Sequence, residues 1–102
     1  MSWGPVQAQF DEFIHAPTRL RITAALAAVN AVEFSVLEEA LGISTSLLSK
    51  PLRLLTDAGY VALEERPQPV GRPRTRIRLT PTGRNVYLSH VEALRRSPKP
   101  PS

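Results

Sequence analysis

Cysteine is absent from this chain. Disulfides, thiol nucleophiles, thiolate metal sites and cysteine redox switches are therefore excluded. Histidine is scarce. His15 and His90 stand far apart and fit no HExxH spacing, so each is expected to be structural rather than catalytic. Neither a GxGxxG nor a GxxxxGK[ST] phosphate loop occurs. The carboxylate pairs Glu38-Glu39 and Glu64-Glu65 are adjacent in sequence, so in a helix or strand they do not converge on one point. No enzyme, no metal and no cofactor is expected. No apolar run approaches the roughly 20 residues of a membrane span. The opening Met1-Ser2-Trp3-Gly4-Pro5 lacks the charged n-region and apolar h-region of a signal peptide, so the expected compartment is the cytoplasm.

What remains is a chain of 102 residues, 42% hydrophobic and 22% charged, which fits one domain with a modest core. The net charge of +4 is unevenly spread. Residues 1–65 hold four basic residues against eight carboxylates. Residues 66–84 hold Arg66, Arg72, Arg74, Arg76, Arg78 and Arg84 with no acid. A guanidinium is suited to forked contacts with phosphates and base edges. Such a segment points first to nucleic acid, with a solvated basic loop as the plain alternative.

Apolar periodicity predicts the elements. Trp3, Val6, Phe10, Phe13 and Ile14 make a helical stripe, broken at His15-Ala16-Pro17. This stripe either packs on its own core or pairs with the same helix of a second subunit. A second helix is expected over residues 18–29, with an alanine-rich middle. Glu33-Phe34 reads as a short extended link. Ser35 and Glu38 read as a capping box opening a third helix over residues 36–41, with Val36, Leu37, Ala40 and Leu41 inward. Gly42 stops it, and Ser44 caps a fourth helix running to about residue 58 and ending at Gly59.

Helix, short turn with glycine, helix is the helix-turn-helix pattern. On the fourth helix Leu48, Leu52 and Leu55 face inward. The opposite stripe, Thr45, Ser46, Ser49, Lys50 and Arg53, has hydroxyls and cations but no carboxylate, and Asp57 comes only at the far end. Those side chains can donate to base edges and phosphates in a major groove. Residues 60–65 then read as a strand, 66–73 as a Pro/Gly-rich loop, and 75–80 as a second strand. Ile77 and Leu79 share one face of it, Arg76 and Arg78 the other. The pair forms a hairpin with a basic tip. A last helix starts near Thr80-Pro81-Thr82 and runs to about residue 96. Tyr87, Val91 and Leu94 form its apolar stripe, with Val86 and Leu88 beside it, and His90 falls where a dimer seam would run. The expected fold class is mainly α with a small β-hairpin (α+β). The domain spans residues 1–96, and 97–102 form a disordered tail.

In this order the elements make a winged helix, and three stretches resemble a known family. Ala16-Pro17-Thr18-Arg19-Leu20-Arg21-Ile22 resembles the opening helix of ArsR-type regulators and of the short winged-helix regulators near MarR. Residues 52–61, with Asp57-Ala58-Gly59-Tyr60-Val61, resemble the end of their recognition helix and the first wing strand. Arg78-Leu79-Thr80-Pro81-Thr82-Gly83-Arg84 resembles their second wing strand and terminal-helix start. Together the resemblance covers about residues 10–96. It implies a homodimeric transcriptional regulator, a repressor, on a partly palindromic operator in double-stranded DNA.

Carried over by position, Thr45, Ser46, Ser49, Lys50 and Arg53 are the recognition residues, and Arg72, Arg74 and Arg76 are the wing residues. Trp3, Val6, Phe10, Phe13, Tyr87, Val91 and Leu94 are the dimerisation candidates. Gly71-Arg72-Pro73-Arg74 also resembles the core of an AT-hook, whose arginines enter a narrow minor groove, with simple phosphate contact as the alternative. The thiolates or His/Asp cluster of an ArsR-type metal sensor are missing, and no effector is indicated. Pro51 departs from the family pattern. It stands inside the recognition helix, and either kinks it or delays its regular part to Ser49 or Lys50. Leu54 touches a thymine methyl or packs at the subunit edge. Two other readings stand beside the regulator: a winged-helix interaction module that never touches DNA, and a non-specific nucleoid-associated binder.

Overall fold

A computed structural model describes residues 8–71 and 74–96. The elements in chain order are α1 (Glu12–His15), α2 (Pro17–Ala27), β1 (Val32–Glu33), α3 (Phe34–Leu41), α4 (Thr45–Asp57), β2 (Val61–Arg66), β3 (Arg74–Leu79) and α5 (Pro81–Arg96). The fold class is the expected one, mainly helical with a small antiparallel sheet. That sheet has three strands in the order β1-β3-β2 rather than a lone hairpin. The added strand is the link before α3, pairing Val32 with Ile77 and Glu33 with Arg76.

The core is built from one face each of α2, α3, α4, β2 and β3. Ile22 and Leu26 come from α2, Leu37 from α3, and Leu48, Leu52 and Leu55 from α4. Val61, Ile77 and Leu79 come from the inner face of the sheet. The leucine spacing in α4 therefore points inward as periodicity requires. In the middle of α2, Thr23 is fully buried, and its hydroxyl donates to the carbonyls of Arg19 and Leu20 at 3.1 and 3.0 Å, so no polar group is stranded.

Two glycines fix the turns that aim α4. Gly42 has φ 65° and Gly59 has φ 81°. Past each, the next amide reaches back to a carbonyl five residues earlier: Ile43 to Glu38 at 3.2 Å and Tyr60 to Leu55 at 3.0 Å. Both helices thus end in a Schellman turn, which glycine permits without strain. Arg21 satisfies another loose carbonyl, donating to that of Leu41 at 2.7 Å, and so ties α2 to the end of α3.

Several expectations are corrected. The N-terminal helix is only the four residues of α1, capped by the Asp11 carboxylate, which accepts from the Ile14 amide at 2.9 Å. Phe10 precedes it in extended chain, and Trp3 and Val6 lie outside the described residues, as does the tail 97–102. The second helix ends at Ala27, leaving Val29 exposed. The capping box at Ser35 does not form. Helix α3 begins one residue earlier, with Glu33 at its N-cap and no side-chain cap. Starting at Phe34 lets that ring pack on the core, and it turns Val36 and Ala40 outward to solvent. Glu38 accepts instead from the hydroxyl of Thr45, bridging the two helices of the helix-turn-helix. Helix α4 is continuous from Thr45 through Pro51 to Asp57, so its regular part is not delayed.

Candidate nucleic-acid interface

Helix α4 is held from below by its three buried leucines and displays its other side. Thr45, Ser46, Ser49, Lys50 and Arg53 are all exposed, on one continuous surface. The hydroxyls at its start are partly engaged within the chain. Thr45 donates to Glu38, the Ser44 and Ser46 hydroxyls pair at 3.2 Å, and Ser49 donates to the Thr45 carbonyl at 2.7 Å. Lys50 and Arg53 form no ion pair with any described residue. A shallow cleft of about 220 Å³ runs along one flank of α4, lined by Phe34, Ser49, Leu52, Arg53, Thr56, Asp57 and Leu63. It marks where β2 leans against the helix.

The basic run of residues 66–84 is divided by the fold. Alternation places Ile77 and Leu79 in the core and Arg74, Arg76 and Arg78 on the outer face of the sheet, with Arg66 and Glu64 opposite on β2. Arg74 is paired with Glu33 at 3.1 Å and Arg66 with Glu64 at 3.5 Å. Arg76 and Arg78 form no ion pair with any described residue. Arg76 sits between Glu33 and Glu64 in register. The outer face is thus less positive than the sequence alone implies. Arg72 and Pro73, the centre of the AT-hook-like stretch, lie outside the described residues.

Arg84 has a different task. Its guanidinium donates to the carbonyls of Ala27 at 3.0 Å and Val29 at 3.4 Å, so it caps the C-terminal end of α2. The motif around it is equally structural. The Thr80 hydroxyl accepts from the Gly83 amide at 2.9 Å, capping α5, and donates to the Gly59 carbonyl at 2.6 Å. A Cβ at position 83 would stand 2.0 Å from the Tyr60 carbonyl oxygen. Threonine, proline, any residue, glycine is therefore the clamp that fastens α5 to the turn after α4.

The dimerisation candidates divide in the same way. Phe13 is half-buried within its own subunit, edge-on to Tyr60 and beneath the Arg19 guanidinium, 4.4 Å from its ring centroid. Phe10 is 48% exposed and lies over the His15 and His90 rings. On α5, Tyr87 and Val91 are half-buried, while Leu88 and Leu94 are exposed.

Periodicity gave no sign that the two histidines meet. His90 is fully buried, accepts from the Asp11 amide at Nδ1 (3.0 Å), and turns Nε2 toward His15 Nδ1 at 3.1 Å. Burial, and then the neighbouring His15, hold its pKa below the usual histidine value, with Asp11 partly opposing. Tyr60, reaching the Asp11 carboxylate at 3.5 Å, has its phenol pushed up by burial and by that charge. Among the described residues no group of three or more His, Cys, Asp or Glu could hold a metal ion. No described helix is long and apolar enough to cross a membrane.

A helix-turn-helix whose second helix exposes Thr45, Ser46, Ser49, Lys50 and Arg53, flanked by a small three-stranded sheet, defines a winged-helix fold. The comparisons agree: residues 18–97 match the family model described as winged helix DNA-binding domain, and the chain belongs to that family. No curated protein matches it in sequence.

Among solved structures it is similar to a transcriptional regulator homologue from Pyrococcus horikoshii OT3, at 24% identity and TM-score 0.75, covering 83% of each chain. It is also similar to a MarR-family transcriptional regulator from Silicibacter pomeroyi, at 28% identity and TM-score 0.65, covering 81% of this chain and 54% of that one. Reduced AbfR bound to DNA superposes with TM-score 0.67 at 24% identity, over 78% of this chain and 54% of that one. The chain thus carries a winged-helix DNA-binding domain and shares its fold with solved transcriptional regulators, a MarR-family member among them.

Proposed function

We propose that this chain is a homodimeric, sequence-specific repressor that lays α4 in the major groove of double-stranded DNA. One observation carries the reading: five polar or cationic side chains, Thr45, Ser46, Ser49, Lys50 and Arg53, are all exposed on one helix whose opposite stripe is locked into the core. The cations serve phosphates and guanine edges, and the hydroxyls serve either. Arg76, Arg74 and Arg72 at the wing supply backbone or minor-groove contacts, with Arg74 exchanging its Glu33 partner for a phosphate. AbfR, of the same fold, is described as bound to DNA, which supports DNA as the partner. A second copy covers Leu88, Leu94 and Phe10, exposed apolar side chains that flank the half-buried Tyr87 and Val91 on α5 and its neighbour. Domain residues 1–96 act as one unit, in the cytoplasm and on the nucleoid.

Selection from a random duplex library with the purified protein, near 0.15 M salt, tests this reading. The expected result is an enriched inverted repeat whose half-sites lie about one turn, roughly 34 Å, apart. Binding without an enriched motif would mean non-specific chromosome coating. No binding at any salt concentration would mean a protein-interaction module.

A further inference from the structure

Among the described residues, the two most exposed large aliphatic side chains are Val70 in the hairpin loop, at 86%, and Leu47 in the first turn of α4, at 68%. One leucine in water is ordinary. Leu47, however, heads a stripe. Leu47, Pro51 and Leu54 succeed one another at spacings of four and three, which places them on one flank of the helix. This flank lies between the buried stripe of Leu48, Leu52 and Leu55 and the polar stripe of Ser46, Lys50 and Arg53. Cover along the flank is graded: Pro51 and Leu54 are half-buried, and Leu47 is exposed. The bare end is the N-terminal turn, which a helix in this fold places closest to the base edges.

Ser46, Ser49, Lys50 and Arg53, the polar side chains on the exposed side of α4 beside this flank, can donate hydrogen bonds through hydroxyls, an ammonium or a guanidinium. Such groups find acceptors on several bases. The one apolar group on the major-groove edge is the C5 methyl of thymine. We propose that Leu47 is a specificity-determining residue that selects thymine by packing on that methyl. The proposal rests on the reading of α4 as the recognition helix. It also shifts the thymine contact from Leu54, which is half-covered within the chain, to Leu47, which is open.

The test uses the full chain and the duplex enriched from the random library. Each thymine of a half-site is replaced in turn by uracil, which removes the methyl and leaves every hydrogen-bonding group in place. Wild-type protein is expected to lose about fourfold in affinity at one position of each half-site, the worth of one buried methyl. Leu47→Ala is expected to bind the thymine and uracil duplexes equally, and to match wild type on the uracil duplex. That match also shows that the variant is folded. The proposal is overturned if wild type is indifferent to uracil at every thymine, or if Leu47→Ala keeps the full difference. Failure to enrich or bind any duplex is a separate result, and it would overturn the recognition-helix reading and this proposal with it.

Discussion

His15 Nδ1 and His90 Nε2 face each other at 3.1 Å, although 75 positions separate them in the chain. The Asp11 amide donates to the other ring nitrogen of His90, so a neutral His90 carries its proton on Nε2 and gives it to His15. The pair joins α1 to α5, beside a second link in which the Gln9 amide donates to the Ser89 carbonyl at 3.0 Å.

This arrangement leaves no place for a second proton on His90. Charging His90 puts a hydrogen on Nδ1, where the Asp11 amide already donates. The folded-state pKa of His90 is depressed, so the unfolded chain takes up the proton first as pH falls. The stability contributed by His90 is complete above about pH 6.5 and is lost as pH falls from there through its lowered folded value. Thermal melts should show a flat midpoint from pH 7 to 8 and a declining one toward pH 5. His90→Gln, whose side-chain carbonyl can still accept from the Asp11 amide, should flatten that decline.

Gly83 is the most constrained glycine of the described chain, because an added methyl would collide with the Tyr60 backbone rather than with a movable side chain. Gly83→Ala must displace α5 from the turn after α4, and overpacking of this kind costs about 2 kcal/mol or more. A fall in Tm of about 10 °C is expected by calorimetry. Thr80→Val should lower the midpoint by less, through loss of the cap and of the bond to the Gly59 carbonyl.

Arg84 and Arg53 should separate stability from binding. Arg84→Ala leaves the carbonyls at the end of α2 without their donor and should cost about 1–3 kcal/mol of stability, with an unchanged salt dependence of DNA binding. Arg53→Ala touches nothing in the core. It should leave Tm within about a degree and flatten the plot of log affinity against log salt by about one unit. Parallel melts and binding titrations at several salt concentrations check both.

These contrasts show what could be read in advance. Helix α4 was legible because Leu48, Leu52 and Leu55 repeat at a helical period and Gly42 and Gly59 bracket it. Its outward face could be read by subtraction. Strand β1 was not legible, because two residues have no periodicity and their strand character exists only through pairing with Ile77 and Arg76. The box at Ser35 had the right residue types, but burial of Phe34 moved the helix start. Arg84 looked like part of a positive field because charge along a sequence does not reveal which guanidinium folds back onto a carbonyl. The histidine pair depends on the docking of α1 against α5, a contact that no local pattern encodes.

Pro51 supplies the last prediction. Helix α4 is continuous through it, so the proline is tolerated rather than used to end the helix. It has no N–H to offer the Leu47 carbonyl, and its ring crowds that carbonyl, a cost near 3 kcal/mol in a regular helix. Part of this is offset because proline restricts the unfolded chain by about 0.4–1 kcal/mol. Pro51→Ala should therefore stabilise the protein by about 2 kcal/mol, raising Tm by about 10 °C. Restoring that bond also fixes the first turn of α4, with Thr45, Ser46 and Leu47, relative to Lys50 and Arg53. The variant should then keep its salt dependence, which follows from the cations, and change its preference at the bases nearest the start of the helix. A repeat of the duplex selection reads that change. An unchanged or lower midpoint would mean that the surrounding packing already holds a proline bend, with the two halves of the recognition surface aimed by it.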